Sequence, residues 1–422
     1  MSVVTFADVV HQSIAFSREV ESQALALRLI DNRWVQRLRD ISQTANTRLV
    51  YMFSEHSRFG HCLGVAYLAE TLLQKLAQNH PDEVAPFRPA IVAAALLHDI
   101  GHLAPGSHTA FKTWFPDQRD THEQMAGRII EGDDELRTTL AAVDPKLPEL
   151  VQQILGESPD LPPWTWEVIS GGGWNVDRGN WCIVDSILAG VSYGQYNIPA
   201  LTDSIVITPD RHLAVRENRL DAMMHFAVSR HAMYRQVYQH RVRLAADTLN
   251  LAIVRRARDL GASIPFADET MQAALAAETP GELTPRTVYA MREGWWRYHL
   301  SRWAEGGDEI LADLSCRLLN RQLLKTVRIQ DPAERSTLEA AAAAAVSRAG
   351  FDPRYYLHEV TTVDMHRGDL HQSMRVLMDD GQVRQLFDAD PLFRAMVTDS
   401  GASTKSWLVL PGEAKALLGR GR

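Results

Sequence analysis

Residues Ala90–His108 read AIVAAALLHDIGHLAPGSH. From Ala90 to about Ile100 it is apolar on every side, the pattern of a helix buried on all faces. Yet it ends on His98-Asp99, followed by Gly101 and His102. An imidazole and a carboxylate at the end of a buried helix cost on the order of several kcal/mol unless something pairs with them. A divalent cation is an effective partner, and the negative end of the helix dipole adds to its attraction.

Working outward, Ser57–Glu70 (SRFGHCLGVAYLAE) supplies a second imidazole. Phe59, Cys62, Leu63, Ala66, Ala69, Leu72, Leu73 and Leu76 recur at helical spacing and form a core stripe. His61 lies beside that stripe, with Arg58 one turn before it on the same face. A His-Asp dipeptide alone is a weak signal. Joined to R-x-x-H upstream, H-D-I-G-H resembles the HD-domain phosphohydrolases. That resemblance implies one divalent metal ion held by the first His, the His-Asp pair and a distant Asp. The run Val176-Asp177-Arg178…Asp185-Ser186…Gly190-Val191-Ser192-Tyr193-Gly194 is similar to the family's distant-Asp segment. The implied metal set is His61, His98, Asp99 and Asp177.

The chain has 422 residues, enough for a large core and for two or three domains. Its apolar content is 45%, with no window near the ~18 uninterrupted apolar residues of a membrane span. The opening MSVVTFADVVHQS has no basic stretch leading into an apolar core, so no signal peptide is expected. Cys62, Cys182 and Cys316 sit at unrelated spacings in apolar patterns and read as reduced core residues of a cytoplasmic protein. Net charge is −8, which argues against a general nucleic-acid surface. It leaves room for a nucleotide substrate, because a polyphosphate needs only a local group of Arg and Lys in a cleft.

Residues 20–42 carry an amphipathic pattern with Leu27, Ile30, Trp34 and Leu38 on one face, read as one helix. Asp31, Gln36, Arg37 and Arg39, then Gln43, resemble the stretch preceding the HD motif in the deoxynucleoside-triphosphate branch of the family. That branch includes the bacterial dGTP triphosphohydrolases and the eukaryotic enzyme with a sterile-alpha-motif and an HD domain. The resemblance implies a substrate contact at Gln43 and a regulatory nucleotide at Asp31, Gln36 and Arg39. Beyond the metal helices, His102, His108 and His122-Glu123 match histidines that meet the phosphates or donate a proton, and an H-E pair. Here the chain departs from the pattern, reading H-L-A-P-G-S-H with one extra residue and no aromatic before His108.

Gly171-Gly172-Gly173 reads as a hinge or a tight approach leading into the Asp177 segment. On a helix starting near Asp177, Trp181 and Asp185 share the ligand's face. The family has Tyr where Trp181 stands and Asp at 185. Asn180 replaces another usual Asp, and Val184 a usual Arg. Ser204–Val215 reads as a hairpin turning at Pro209-Asp210, followed by one long helix over roughly Arg216–Leu260. One face of that helix carries Arg230, Tyr234, Tyr238 and Arg241. By itself this is an exposed basic helix with tyrosines. Ser229–Arg241 closely resembles a family helix, which implies phosphate contacts at Arg230 and Arg241 and packing of Tyr238 against a deoxyribose.

Residues 265–349 read as helical, with a strong helix over Ser336–Ala349 stopped by Gly350. In the tail, Tyr355–Val363, Arg375–Phe387 and Ser406–Leu410 read as strands, with a helix after Pro411. The expected organisation is mainly α: an N-terminal helical segment (1–50), an all-helical HD core (51–200), a helical extension completing the site (201–350) and a small α+β C-terminal lobe (351–422). The resemblance implies cleavage of a deoxynucleoside triphosphate to deoxynucleoside and inorganic triphosphate. His102, His108, His122 and Glu123 would handle protons, and Gln43, Arg58, Arg178, Trp181, Asp185, Arg230, Tyr234, Tyr238 and Arg241 would hold substrate. A mixed N/O ligand set suits Mn, Fe, Co, Ni or Zn and tolerates Mg, and Mg is also a companion of the triphosphate. A homo-oligomer and no membrane partner are expected. Two alternatives stay open: the same metal acting on a monophosphate or an alarmone, and a nucleotide sensor or nucleic-acid binder with a relic site.

Overall fold

The structure, a computed structural model, describes residues 2–106, 109–119, 121–362, 374–398 and 404–419. Among the described residues it is mainly helical with three small sheets. The site is framed by two helices, α1 (Arg58–Leu76) and α2 (Arg88–Leu97), packed against each other. Ala90 to Leu97 have no exposed surface, so α2 is the buried helix its composition demands, and His98 caps its C-terminus.

Two other helices close on this pair, α3 (His122–Gly132) and α4 (Val176–Leu188). Both approaches depend on a missing side chain. A Cβ on Gly101 would lie 2.1 Å from the His122 carbonyl oxygen, and one on Gly64 would lie 2.3 Å from Asn180 Nδ2. Asn175 caps α4, its side chain accepting from Arg178 N, which starts the helix at Val176, one residue before Asp177.

The N-terminal segment corrects the expectation of a helical segment over residues 1–50. It opens on a hairpin of β1 (Val3–Asp8) and β2 (Gln12–Ser17), antiparallel with Val3 opposite Ser17. Asp8 Oδ2 accepts from the N–H groups of Val10 and His11 and shapes the turn. Ile14 and Phe16 are buried, so one face of β2 joins the core. The helix read over 20–42 is broken: Glu21–Ile30, then Arg33–Arg37 and a 3-10 turn Leu38–Asp40. Asn32 makes the break, its side chain accepting from Trp34 N at 2.9 Å.

The long helix read over Arg216–Leu260 is likewise interrupted. It consists of Leu220–Met233, a π-turn Tyr234–Tyr238, and Arg241–Leu260 started by His240. The hairpin that precedes it in the chain is present as expected, with β3 (Ile205–Ile207) antiparallel to β4 (Leu213–Arg216).

The tail strands do not form a sheet of their own. With β5 (Lys325–Ile329), β6 (His358–Thr361), β7 (Arg375–Leu377), β8 (Val383–Gln385) and β9 (Ser406–Leu410), the sheets run β3-β4-β7-β8 and β5-β9-β6. The strand read from Tyr355 begins later, because Pro353–Tyr356 is a helical turn capped by Asp352. A C-terminal helix follows Pro411, at Gly412–Gly419. No helix among the described residues is long and apolar enough to cross a membrane.

Candidate metal centre

His61 stands in the first turn of α1, His98 and Asp99 at the end of α2, and Asp177 in the first turn of α4. Their polar atoms converge. His61 Nε2 is 2.9 Å from Asp177 Oδ1 and 3.8 Å from Asp99 Oδ2. His98 Nε2 is 3.4 Å from Asp99 Oδ1 and 3.5 Å from Asp177 Oδ1. Ligand atoms of His61, His98 and Asp177 all lie within 4.8 Å of one another.

These residues fit a divalent ion on their own evidence. His98 Nδ1 donates to the Ala95 carbonyl at 2.8 Å, which turns Nε2 inward, and that nitrogen is buried with no hydrogen bond. A buried ring nitrogen without a partner is costly in a protein that offers it nothing else. His61 Nδ1 meets Asn180 Oδ1 at 3.0 Å, so its Nε2 is likewise directed at the carboxylates. Two imidazole nitrogens and two carboxylates form a donor set typical of first-row metals.

The electrostatics follow from the crowding. Burial works against the charge of Asp99, but Arg58, His98 and His102 outweigh it and hold its carboxyl well below the usual range. Asp177 is lowered in the same way by His61 and His98 against its burial. Burial opposes the charging of His98 too, yet Asp99 and Asp177 raise it to about 9. His102 goes the other way. Burial, Arg58 and His122 push it down to about 3, so it is neutral at pH 7.

Around these residues lies a cavity of about 320 Å³. Arg58 lines it, with Nη1 donating to Asp99 Oδ2 at 2.6 Å and Nε buried without a partner. His102 Nε2 is 3.2 Å from Asp99 Oδ1, and its ring stacks on His122 with centroids 4.0 Å apart. Glu123 Oε1 is 3.3 Å from His122 Nε2. The opposite wall holds Asp185, which accepts from Tyr238 Oη and meets His56 Nε2 at 2.7 Å. Trp181 makes edge contacts with Tyr234 and Tyr238. Gln43 and Arg178 also line the cavity, and Arg178 Nη1 donates to the Gly171 carbonyl at 3.1 Å.

Most of the substrate and proton-handling residues read from the sequence thus line one cavity. Arg230 and Arg241 are not among its lining residues. Arg230 packs over the Tyr234 ring at 5.4 Å, and Arg241 is exposed. The π-turn at Tyr234–Tyr238 breaks the helical phase between the helix that carries Arg230 and the one that carries Arg241. Asp31, Gln36 and Arg39 lie apart from the cavity. Arg39 Nε donates to Gln36 Oε1 at 2.9 Å and its guanidinium covers the Phe59 ring at 3.6 Å. His108 lies outside the described residues.

Two residues carry more than the sequence reading assigned them. His56, two positions before Arg58, orients Asp185 across 129 residues of chain, a pairing no local pattern signals. Asn180, noted only as a departure from the family pattern, holds the metal-side histidine His61.

The family model described as HD domain matches residues 58–178, which include His61, His98, Asp99 and Asp177. The chain therefore carries an HD domain within a mainly α fold that has an added α+β part. It is 29% identical over 368 residues to the uncharacterized protein YwfO of Bacillus subtilis, covering 85% of this chain and 82% of YwfO. It is 26% identical over 262 residues to the deoxynucleoside triphosphate triphosphohydrolase SAMHD1 of Bos taurus, covering 54% of this chain and 44% of that enzyme. The match thus spans less than half the length of SAMHD1. A solved phosphohydrolase from Bacteroides thetaiotaomicron has a similar fold, with a TM-score of 0.81 at 21% identity over 97% of this chain and all of that one. A hypothetical protein from Aquifex aeolicus aligns with a TM-score of 0.72 at 22% identity over 100% and 99% of the two chains.

Proposed function

We propose that this chain is a metal-dependent deoxynucleoside triphosphate triphosphohydrolase, releasing deoxynucleoside and inorganic triphosphate. One observation carries the reading: His61, His98, Asp99 and Asp177 converge beside a cavity that also presents Arg58, Arg178 and a cluster of aromatic rings. The similarity to SAMHD1, whose name states this activity, supports the choice of substrate.

His61, His98, Asp99 and Asp177 would hold the ion. A divalent ion in such a site supplies a bound water of lowered pKa and polarises a phosphoryl oxygen. Arg58, tethered to Asp99 through Nη1, keeps its Nε for a phosphate oxygen. Arg178 adds positive charge on the same cavity. His122, with Glu123 at 3.3 Å, is the group we assign to protonate the departing 5′-oxygen, and the neutral His102 ring stacked on it keeps its orientation. Tyr238, held by Asp185, would pack against the deoxyribose and leave little room for a 2′-hydroxyl.

The test is incubation with each of the four dNTPs and Mn²⁺, singly and in pairs, with products separated by ion exchange. Inorganic triphosphate and deoxynucleoside are expected; pyrophosphate with monophosphate, or orthophosphate with diphosphate, would overturn the assignment. The position of Arg230 and Arg241 off the cavity wall favours a second reading, hydrolysis of a nucleotide with fewer phosphates. Release of orthophosphate from monophosphates in the same assay would establish it. A regulatory nucleotide bound near Asp31, Gln36 and Arg39 in a homo-oligomer belongs to the same proposal, and the paired incubations test it through a gain in rate when a second dNTP is present.

A further inference from the structure

The turn of the N-terminal hairpin reaches the metal-side histidine through a single amide. Asn180, 1% exposed, lies between His61, Gly64 and His11. Its Oδ1 is 3.0 Å from His61 Nδ1, and its Nδ2 is 3.4 Å from His11 Nε2. His11 is held by the Asp8 turn, where its backbone N–H donates to Asp8 Oδ2 at 2.7 Å, and by an edge contact with Tyr67 at 5.0 Å.

A primary amide has a donor end and an acceptor end, and only one orientation serves the metal centre. With Oδ1 toward His61, the ring carries its proton on Nδ1 and leaves the Nε2 lone pair facing Asp177 and Asp99. Turned round, the amide would present a donor to His61 and favour the tautomer protonated on Nε2, which cannot bind a cation. The absent side chain at Gly64 lets Asn180 sit this close, a Cβ there being 2.3 Å from Nδ2. What distinguishes the two orientations is the partner at the far end, and that partner is a ring nitrogen able to accept.

We infer that His11 is a positioning residue for the metal ligand His61, acting through Asn180 by accepting from its amide. The inference rests on the metal-centre reading above. Burial lowers the pKa of His11 against the nearby Asp8, in keeping with a neutral ring whose Nε2 accepts. The hairpin thereby becomes part of the metal centre without touching an ion or a substrate. Outer partners of this kind tune metal affinity by roughly ten- to a hundredfold.

The experiment measures Mn²⁺ affinity of the chelator-stripped full chain by calorimetry and by the electron paramagnetic resonance of free Mn²⁺. His11→Phe keeps a ring beside Tyr67 and removes the acceptor; His11→Gln restores an acceptor without the ring; His11→Ala serves if the Phe variant does not fold. Affinity is expected to fall roughly tenfold or more in the Phe and Ala variants and to return to within about threefold of wild type in the Gln variant. In an Asn180→Asp background, where both oxygens accept, the Phe substitution should change affinity little. Wild-type affinity in the Phe variant, or equal losses in the Phe and Gln variants, would overturn the inference while leaving the metal centre intact. Absence of Mn²⁺ binding by the wild type would overturn both.

Discussion

The two nitrogens of His98 have opposite surroundings. Nδ1 is hydrogen-bonded to a helical carbonyl, while Nε2 is buried among carboxylates with no hydrogen bond. This asymmetry makes the His-Asp pair readable from sequence, because an apolar helix has no reason to end on two polar groups unless something else satisfies them. Arg241 shows the converse: its residue type is right for phosphate, but its position depends on helical phase, which its own sequence does not disclose. His358, half-buried, offers a test of imidazole energetics away from the site. Its Nε2 is 2.9 Å from the Tyr355 carbonyl, and burial, opposed by that bond and aided by Arg255, lowers its pKa to about 4. The unfolded value is 6.5. The unfolded state therefore binds the proton more readily, and the stabilisation from the neutral ring is complete above pH 6.5 and lost as pH falls toward 4. Thermal unfolding of His358→Gln followed from pH 7 to 4 should show a shallower acid-side decline than wild type, and an unchanged slope would contradict this.

At the scale of elements, the centre depends on how closely α3 and α4 approach the ends of α1 and α2. Gly101 permits the first approach, since a Cβ there would meet the His122 carbonyl oxygen at 2.1 Å and Ala126 N at 2.8 Å. Backbone cannot give way as a flexible side chain does. Gly101→Ala is expected to cost about 1–3 kcal/mol in stability, the usual range for overpacking. It should also move His122 off the His102 ring and lower kcat more than it raises KM. Thermal unfolding and steady-state kinetics on the same preparation check both, and a variant with wild-type kcat would show that the stack is dispensable. Such glycines are visible in sequence, but not what they face. The same holds for the breaks at Asn32 and at Tyr234–Tyr238, where a side-chain cap and a π-turn override an unbroken apolar period.

Across the whole molecule, the proposed ligands come from three helices separated by long stretches of chain, so an ion there would act as a cross-link on the native state alone. Linkage gives about 2.7 kcal/mol of added stability at a free ion concentration a hundred times Kd. Removing the ion with EDTA should lower Tm by several degrees, and Mn²⁺ should restore it; Asp177→Asn should abolish the response. A wild-type Tm indifferent to chelator and to added Mn²⁺ would argue against the centre. The sheets spread the same logic over the chain. The tail strands β7 and β8 extend the hairpin β3-β4, and β9 sits between β5 and β6, so the expected C-terminal lobe is stitched into the segment before it.

What the sequence determined by itself was local: the buried helix ending on His98-Asp99, the partner helix carrying Arg58 and His61, the Asp177 helix and the hairpin at 205–216. Each is written in a period, a cap or a turn within a few residues, where propensity and side-chain pattern act directly. Tertiary structure alone decided which strands pair, which arginines reach the cavity, that residues 3–17 form a hairpin with Ile14 and Phe16 in the core, and that His11 and Asn180 meet behind His61. Those outcomes depend on contacts between residues far apart in the chain, whose energies come from packing and hydrogen-bond satisfaction in the assembled core and leave no periodic trace along it.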